Sequence, residues 1–128
     1  MMLDWDGYRQ ALSKRIGDLG RRTPATVRGY RELSDAGSKT AHLDAKTREL
    51  IAIAVGVTRQ CDGCITTHVD AALRNGVTRE ELVEALGVAV AVNAGAALVY
   101  SARVMDALGA DEVSPRGSNH STEGAAPQ

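Results

Sequence analysis

A chain of 128 residues, 44% of them hydrophobic, is long enough to enclose one core and too short to expect two. Fifteen basic residues against sixteen acidic ones leave a formal net charge of −1, which gives no electrostatic footprint for nucleic acid or an anionic membrane, so neither is expected as a partner. The opening MMLDWDGYRQ has early acids and no apolar stretch of the kind a secretory signal or transit peptide needs, so the cytoplasm is the expected location.

Aromatic residues make up only 3% of the chain and Phe is absent, while Ala, Val, Leu and Gly fill the periodic segments. That composition favours closely packed helices over a sheet, and the expected fold is all-α: one helical domain over 1–110 of five to six helices. The first helix is predicted from Trp5 to about Leu19, with Tyr8, Leu12, Ile16 and Leu19 on one face and Gly20 as its stop. Thr23 and Pro24 suit the N-cap and first turn of a second, carrying Val27, Tyr30 and Leu33 and ending near Gly37. Asp44 is a good N-cap for a third, Ala45 to Val57, whose apolar face is Leu50, Ile51, Ile53 and Ala54.

Gln60 and Cys61 are expected to open a fourth helix that runs to Asn75 and is closed by Gly76 in the left-handed conformation. Thr78-Arg-Glu-Glu81 matches a capping box and starts a fifth. The uncharged run Ala85–Ala102 is long enough to raise the question of a membrane span, yet it holds Asn93, two glycines and many alanines and has no flanking basic cluster. The preferred expectation is two buried helices broken near Asn93-Ala94-Gly95, the second reaching Leu108, serving a core or a subunit interface. The segment 111–128 is nearly free of apolar residues and is expected to be a disordered tail, and no role is assigned to His120 within it.

The chemistry concentrates in Cys61-Asp-Gly-Cys64-Ile-Thr-Thr-His68. On a helix the two thiols and the imidazole fall within an arc of about 60°, on one face. In a reducing compartment two cysteines three residues apart fit catalysis or metal binding better than a structural staple. A thiol reacts as its thiolate, which the amides at a helix N-terminus stabilise, and neighbours at this spacing are close enough to cycle between dithiol and disulfide. His68 could accept the thiol proton or return one, and Glu49 from the preceding helix could orient the imidazole. Taken alone, Glu49 is equally well a solvated acid or the partner of Arg48 or Arg59. The same Cys61, Cys64, His68 and Glu49 could in principle ligate zinc, although a metal is not the preferred reading. No Gly-rich phosphate loop or Ser-His-Asp set is present, and no cofactor is expected.

The spacing Glu49-x11-Cys61-x2-Cys64-x3-His68, the lead-in Leu43-Asp-Ala-Lys-Thr-Arg-Glu-Leu50, and Asn75-Gly76-Val77 before the acidic start of the next helix resemble the carboxymuconolactone decarboxylase superfamily. Within it the chain looks like the alkylhydroperoxidase AhpD-type branch, over about Leu43 to Leu108. The resemblance implies a helical domain assembling as trimers or hexamers, with hydroperoxide as substrate and a lipoyl- or thioredoxin-type dithiol as reductant. It also implies that Cys64 is peroxidatic, Cys61 resolving, and Glu49 and His68 the proton relay. The pattern departs from that branch at Gly63, where its enzymes can carry a second histidine, and Asp62 makes the surroundings of Cys61 more negative. The decarboxylase branch does not depend on a cysteine pair, so Cys61 and Cys64 argue against it here.

Overall fold

The computed structural model describes residues 1–113, with side chains to residue 110, and among these the elements are five α-helices and no strand. They are α1 (Trp5–Arg22), α2 (Pro24–Thr40), α3 (Ala45–Thr58), α4 (Asp62–Arg74) and α5 (Arg79–Val113). The all-α expectation therefore holds. Contacts group Met1–Asn93 into one compact unit and the described residues from Ala94 onward into a second.

Local chemistry explains most of the boundaries in the first unit. Asp4 caps α1 by accepting the Gly7 amide at 3.1 Å, and Asp44 caps α3 by accepting that of Thr47 at 2.8 Å. Thr23 stands at the N-cap position of α2 but makes no capping bond; its hydroxyl pairs with that of Thr26 at 2.7 Å. The capping box of α5 is reciprocal, with the Thr78 amide donating to Glu81 at 2.8 Å and the Glu81 amide to the Thr78 hydroxyl at 3.1 Å. Gly76 has φ of 80°, which only glycine adopts freely. Helix α2 runs three residues past the predicted stop at Gly37, to Thr40, and ends on Ala41 at φ 53°. Gly37 has a different use, because a Cβ there would lie 3.2 Å from Cδ of Arg48 in α3.

The core of this unit is built on Ile53 of α3, Ala72 of α4 and Val77, with Leu50, Val57, Val69, Leu82 and Leu86 packed around them. It thus joins α3, α4 and the first turns of α5. Helix α1 lies against α2, where Val27 packs on Gly20, and against α4. There the buried hydroxyl of Thr66 donates to the Trp5 carbonyl at 3.3 Å.

The predicted break at Asn93-Ala94-Gly95 is absent, and α5 continues to Val113, beyond both the expected end at Leu108 and the expected tail boundary at 111. Asn93 is accommodated inside the helix: its amide donates to the Ala89 carbonyl one turn back and to the Thr58 hydroxyl of α3, both at 2.8 Å, so its donors are satisfied without a break in the backbone. A glycine inside a helix costs only about 1 kcal/mol relative to alanine, too little to break one that contains no proline. The rest of the predicted tail, with His120, lies outside the described residues.

Of the two uses expected for the apolar run, a core or a subunit interface, the single chain does not supply the first over most of its length. Over Arg79–Ala110 helix α5 is long and apolar enough to cross a membrane by length and composition, and little of it is covered within the single chain. In the second unit Leu98, Val99, Tyr100, Val104, Met105 and Leu108 are between 56% and 76% exposed.

Candidate active site

The turn between α3 and α4 aims the sulfurs. After Thr58 the chain reverses through Gln60, at φ 52°, and the Cys61 amide donates to the Gly56 carbonyl at 3.0 Å. Cys61 then takes extended angles as the N-cap of α4, and the Cys64 amide donates to its Sγ at 3.1 Å. The sequence placed Gln60 and Cys61 inside α4. In the structure the helix begins two residues later, at Asp62, so Cys61 caps it and Cys64 occupies its first turn. Sulfur accepting from a terminal amide is the arrangement that stabilises a thiolate when the pair is reduced.

Cys61 and Cys64 are joined by a disulfide, with their Cα atoms 5.2 Å apart. One turn further along α4, His68 Nδ1 and Glu49 Oε2 of α3 are 2.8 Å apart, and both side chains are partly buried. The choice of partner for Glu49 is thereby settled as His68. Arg48 instead donates to the Leu43 carbonyl. An imidazole held by a carboxylate through Nδ1 presents Nε2 for proton transfer. Among the described residues no group of three or more His, Cys, Asp or Glu side chains is arranged to hold a metal ion.

Two residues outside the predicted set shape the site. Gly56 of α3 is buried, and a Cβ on it would lie 3.2 Å from the Cys64 Cβ, so its missing side chain lets α3 approach the redox turn. A glycine inside the apolar run Ile51–Val57 was the available signal for such an approach. On the other side, a Cβ on Gly63 would meet Leu12 Cδ2 at 2.7 Å. The space that a histidine between the cysteines would enter is thus occupied by α1, a contact no local pattern reveals. Asp62 is exposed, which leaves its charge to solvent screening.

Among the described residues the chain is all-helical, with Cys61 capping α4, Cys64 in its first turn and the His68–Glu49 pair one turn on. The model of the carboxymuconolactone decarboxylase family matches residues 24–107, and the chain belongs to that family. An uncharacterized protein of Haemophilus influenzae is 42% identical over 107 residues, 84% of this chain and 95% of the relative. Another, "uncharacterized protein 4 in cox locus" of Paracoccus denitrificans, is 35% identical over 79% of this chain and 89% of its own length. Among solved structures, apo-form crystals of a carboxymuconolactone decarboxylase family protein from Legionella pneumophila match with a TM-score of 0.66. That match has 35% identity, covering 80% of this chain and 92% of the other.

Proposed function

We propose that this protein is a cysteine-dependent peroxidase of the alkylhydroperoxidase kind, a dithiol-disulfide oxidoreductase acting in antioxidant defence in the cytoplasm. The observation that carries the reading is the placement of a hydrogen-bonded Glu49–His68 pair one helical turn behind a cysteine pair that bonds to itself. In this reading His68 takes the proton of Cys64, and the thiolate attacks the terminal oxygen of a hydroperoxide. The O–O bond breaks, Cys64 becomes a sulfenic acid, and the alkoxide leaves as the alcohol with that proton. Cys61 then attacks the Cys64 sulfur, hydroxide leaves as water, and the disulfide protects the site from overoxidation. A dithiol of the lipoyl or thioredoxin type restores both thiols. The test is peroxide consumption with a dithiol donor. Cys64→Ser is expected to abolish turnover, and unchanged turnover removes the assignment.

The exposed apolar surface of α5 supports a homo-oligomer, a trimer or hexamer, in which copies of the chain cover that helix. A second functional reading draws on the Glu49–His68 pair alone, since neither group needs a thiol to act as acid and base on a small lactone acid. Activity on a carboxylactone that survives Cys61→Ser would favour it. A redox-sensing or metal-holding scaffold would instead show blocked thiols and stoichiometric zinc without turnover.

A further inference from the structure

We propose that the N-terminal half of α1 is a redox-responsive cover on the cysteine turn, held against α4 while Cys61 and Cys64 are bonded and released when they are reduced. The inference rests on the proposed function only for the pair cycling between disulfide and dithiol, and not for peroxide being the oxidant. It gives Trp5, Arg9 and Leu12, which share one face of α1 at helical spacing, a part in setting how easily the pair is reduced.

The turn is gripped from two sides. On the α3 side a Cβ at Gly56 would lie 3.2 Å from the Cys64 Cβ, and the Cys61 amide donates to the Gly56 carbonyl at 3.0 Å. Both cysteines are thus seated on α3. On the α1 side Leu12 reaches Gly63, which lies within the ring that the disulfide closes. No room is left there for one more carbon, since a Cβ on Gly63 would meet Leu12 Cδ2 at 2.7 Å. Bonded sulfurs lie well inside their van der Waals contact distance, so breaking the bond drives them apart. With the α3 side full, the displacement falls on Asp62-Gly63 and presses against Leu12.

The two walls differ in strength. Helices α3 and α4 share the core around Ile53, Ala72 and Val77. Helix α1 is held on α4 by the Thr66–Trp5 hydrogen bond at 3.3 Å and by a partly exposed ion pair, Arg9 to Asp70 at 2.7 Å, of a kind that contributes little. A cavity of about 410 Å³ between Trp5 and Arg9 on one side and Ile65, Val69 and Leu73 on the other leaves that packing unfilled. The wall that gives is therefore α1. Its C-terminal end stays in place, because Val27 of α2 packs on Gly20, so the release is confined to the half that carries Trp5, Arg9 and Leu12. The two electrons and two protons of the reduction come from an external dithiol, whose own sulfurs become bonded. By linkage, whatever holds α1 on the turn favours the disulfide, and loosening α1 favours the dithiol by the same factor.

The experiment uses the full-length protein equilibrated with dithiothreitol at graded ratios of its dithiol and disulfide forms, the state of Cys61 and Cys64 being counted by alkylation and mass spectrometry. In the wild type, amide hydrogen exchange over residues 5–13 is expected to be at least five-fold faster in the dithiol form, with α3 unchanged; equal or slower exchange overturns the proposal. The doubly substituted Cys61→Ser, Cys64→Ser chain is expected to show the faster rate with or without dithiothreitol, and the slower rate would overturn it as well. Leu12→Ala is expected to move the equilibrium toward the dithiol at least five-fold, about 20 mV at about 30 mV per tenfold, and Leu12→Met to return it to the wild-type value. Arg9→Gln, which loosens α1 at Asp70 and not at the turn, is expected to move it at least two-fold in the same direction. A shift confined to Leu12→Ala would be local packing and would overturn the coupling through α1, as would no shift in either variant. Peroxide consumption on the same preparations separates the two readings. Absence of turnover with both shifts present removes the peroxidase and leaves the cover standing, whereas turnover without them does the reverse.

Discussion

Gln60 is held at φ 52° immediately before the first sulfur, in a region that costs a residue with a Cβ about 1 kcal/mol or more. That conformation turns the chain from α3 into α4 and delivers Cys61 to the cap. Gln60→Gly is expected to raise stability by about 0.5 kcal/mol, the relief of strain less the larger unfolded entropy of glycine, readable as a higher denaturation midpoint with unchanged slope. Gly56 has the opposite demand. Gly56→Val would force α3 away from Cys64 and is expected to cost about 2 kcal/mol by overpacking. A variant as stable as the wild type would show that the helices do not meet there. Cys61, Cys64 and His68 could be grouped from helical spacing alone, whereas Glu49 joined them only through the family resemblance. Gly56, Leu12 and the strain at Gln60 were not, since each depends on what another segment brings to within van der Waals distance.

Among the elements, α3 and α4 carry the site because their shared core holds them in register. Ile53, 2% exposed, is the centre of that core, and Ile53→Ala is expected to cost about 3 kcal/mol. A loss under 1 kcal/mol in chemical denaturation would contradict the packing described. The helix starts make an acid-sensitive contribution. Hydrogen bonding from Thr47 holds the Asp44 carboxyl below its ordinary value, and hydrogen bonds from Lys46 and the Thr78 amide do the same for Glu81. A depressed folded value means stability that is present above the unfolded carboxylate range and lost as pH falls through the folded one. Thermal midpoints are therefore expected to fall on acidification below about pH 4, less steeply in Glu81→Gln, which no longer titrates. Equal acid sensitivity in the variant would remove Glu81 from this account. The starts of α3 and α5 were legible because Asp44 and the Thr78/Glu81 box act within three residues of themselves, whereas α1 was read from its apolar period and its Asp4 cap was not. The continuity of α5 was not, because the Asn93 side chain finds its second partner at Thr58, 35 residues back.

At the scale of the whole molecule, α5 leaves a large apolar surface uncovered in the single chain. Six large apolar side chains more than half exposed after Ala94 represent far more uncovered apolar surface than scattered single residues would. If copies of the chain provide the cover, Leu98→Asp combined with Met105→Asp is expected to lower the mass measured by sedimentation to that of a smaller species. An unchanged mass would place the contacts elsewhere. The fold class could be inferred from composition and periodicity. The fate of α5 could not, because an all-round apolar helix looks the same whether its own chain or another covers it.

The N-terminal helix meets α4 at a carbonyl of Trp5, the single tryptophan of the chain, beside a cavity of about 410 Å³ that Trp5 lines with Ile65, Val69 and Leu73. The protein therefore carries a built-in optical gauge of whether α1 is docked. Undocking of that helix would redshift and weaken indole emission while the far-ultraviolet dichroism of the other helices persisted, so the two signals together separate a local opening from global unfolding.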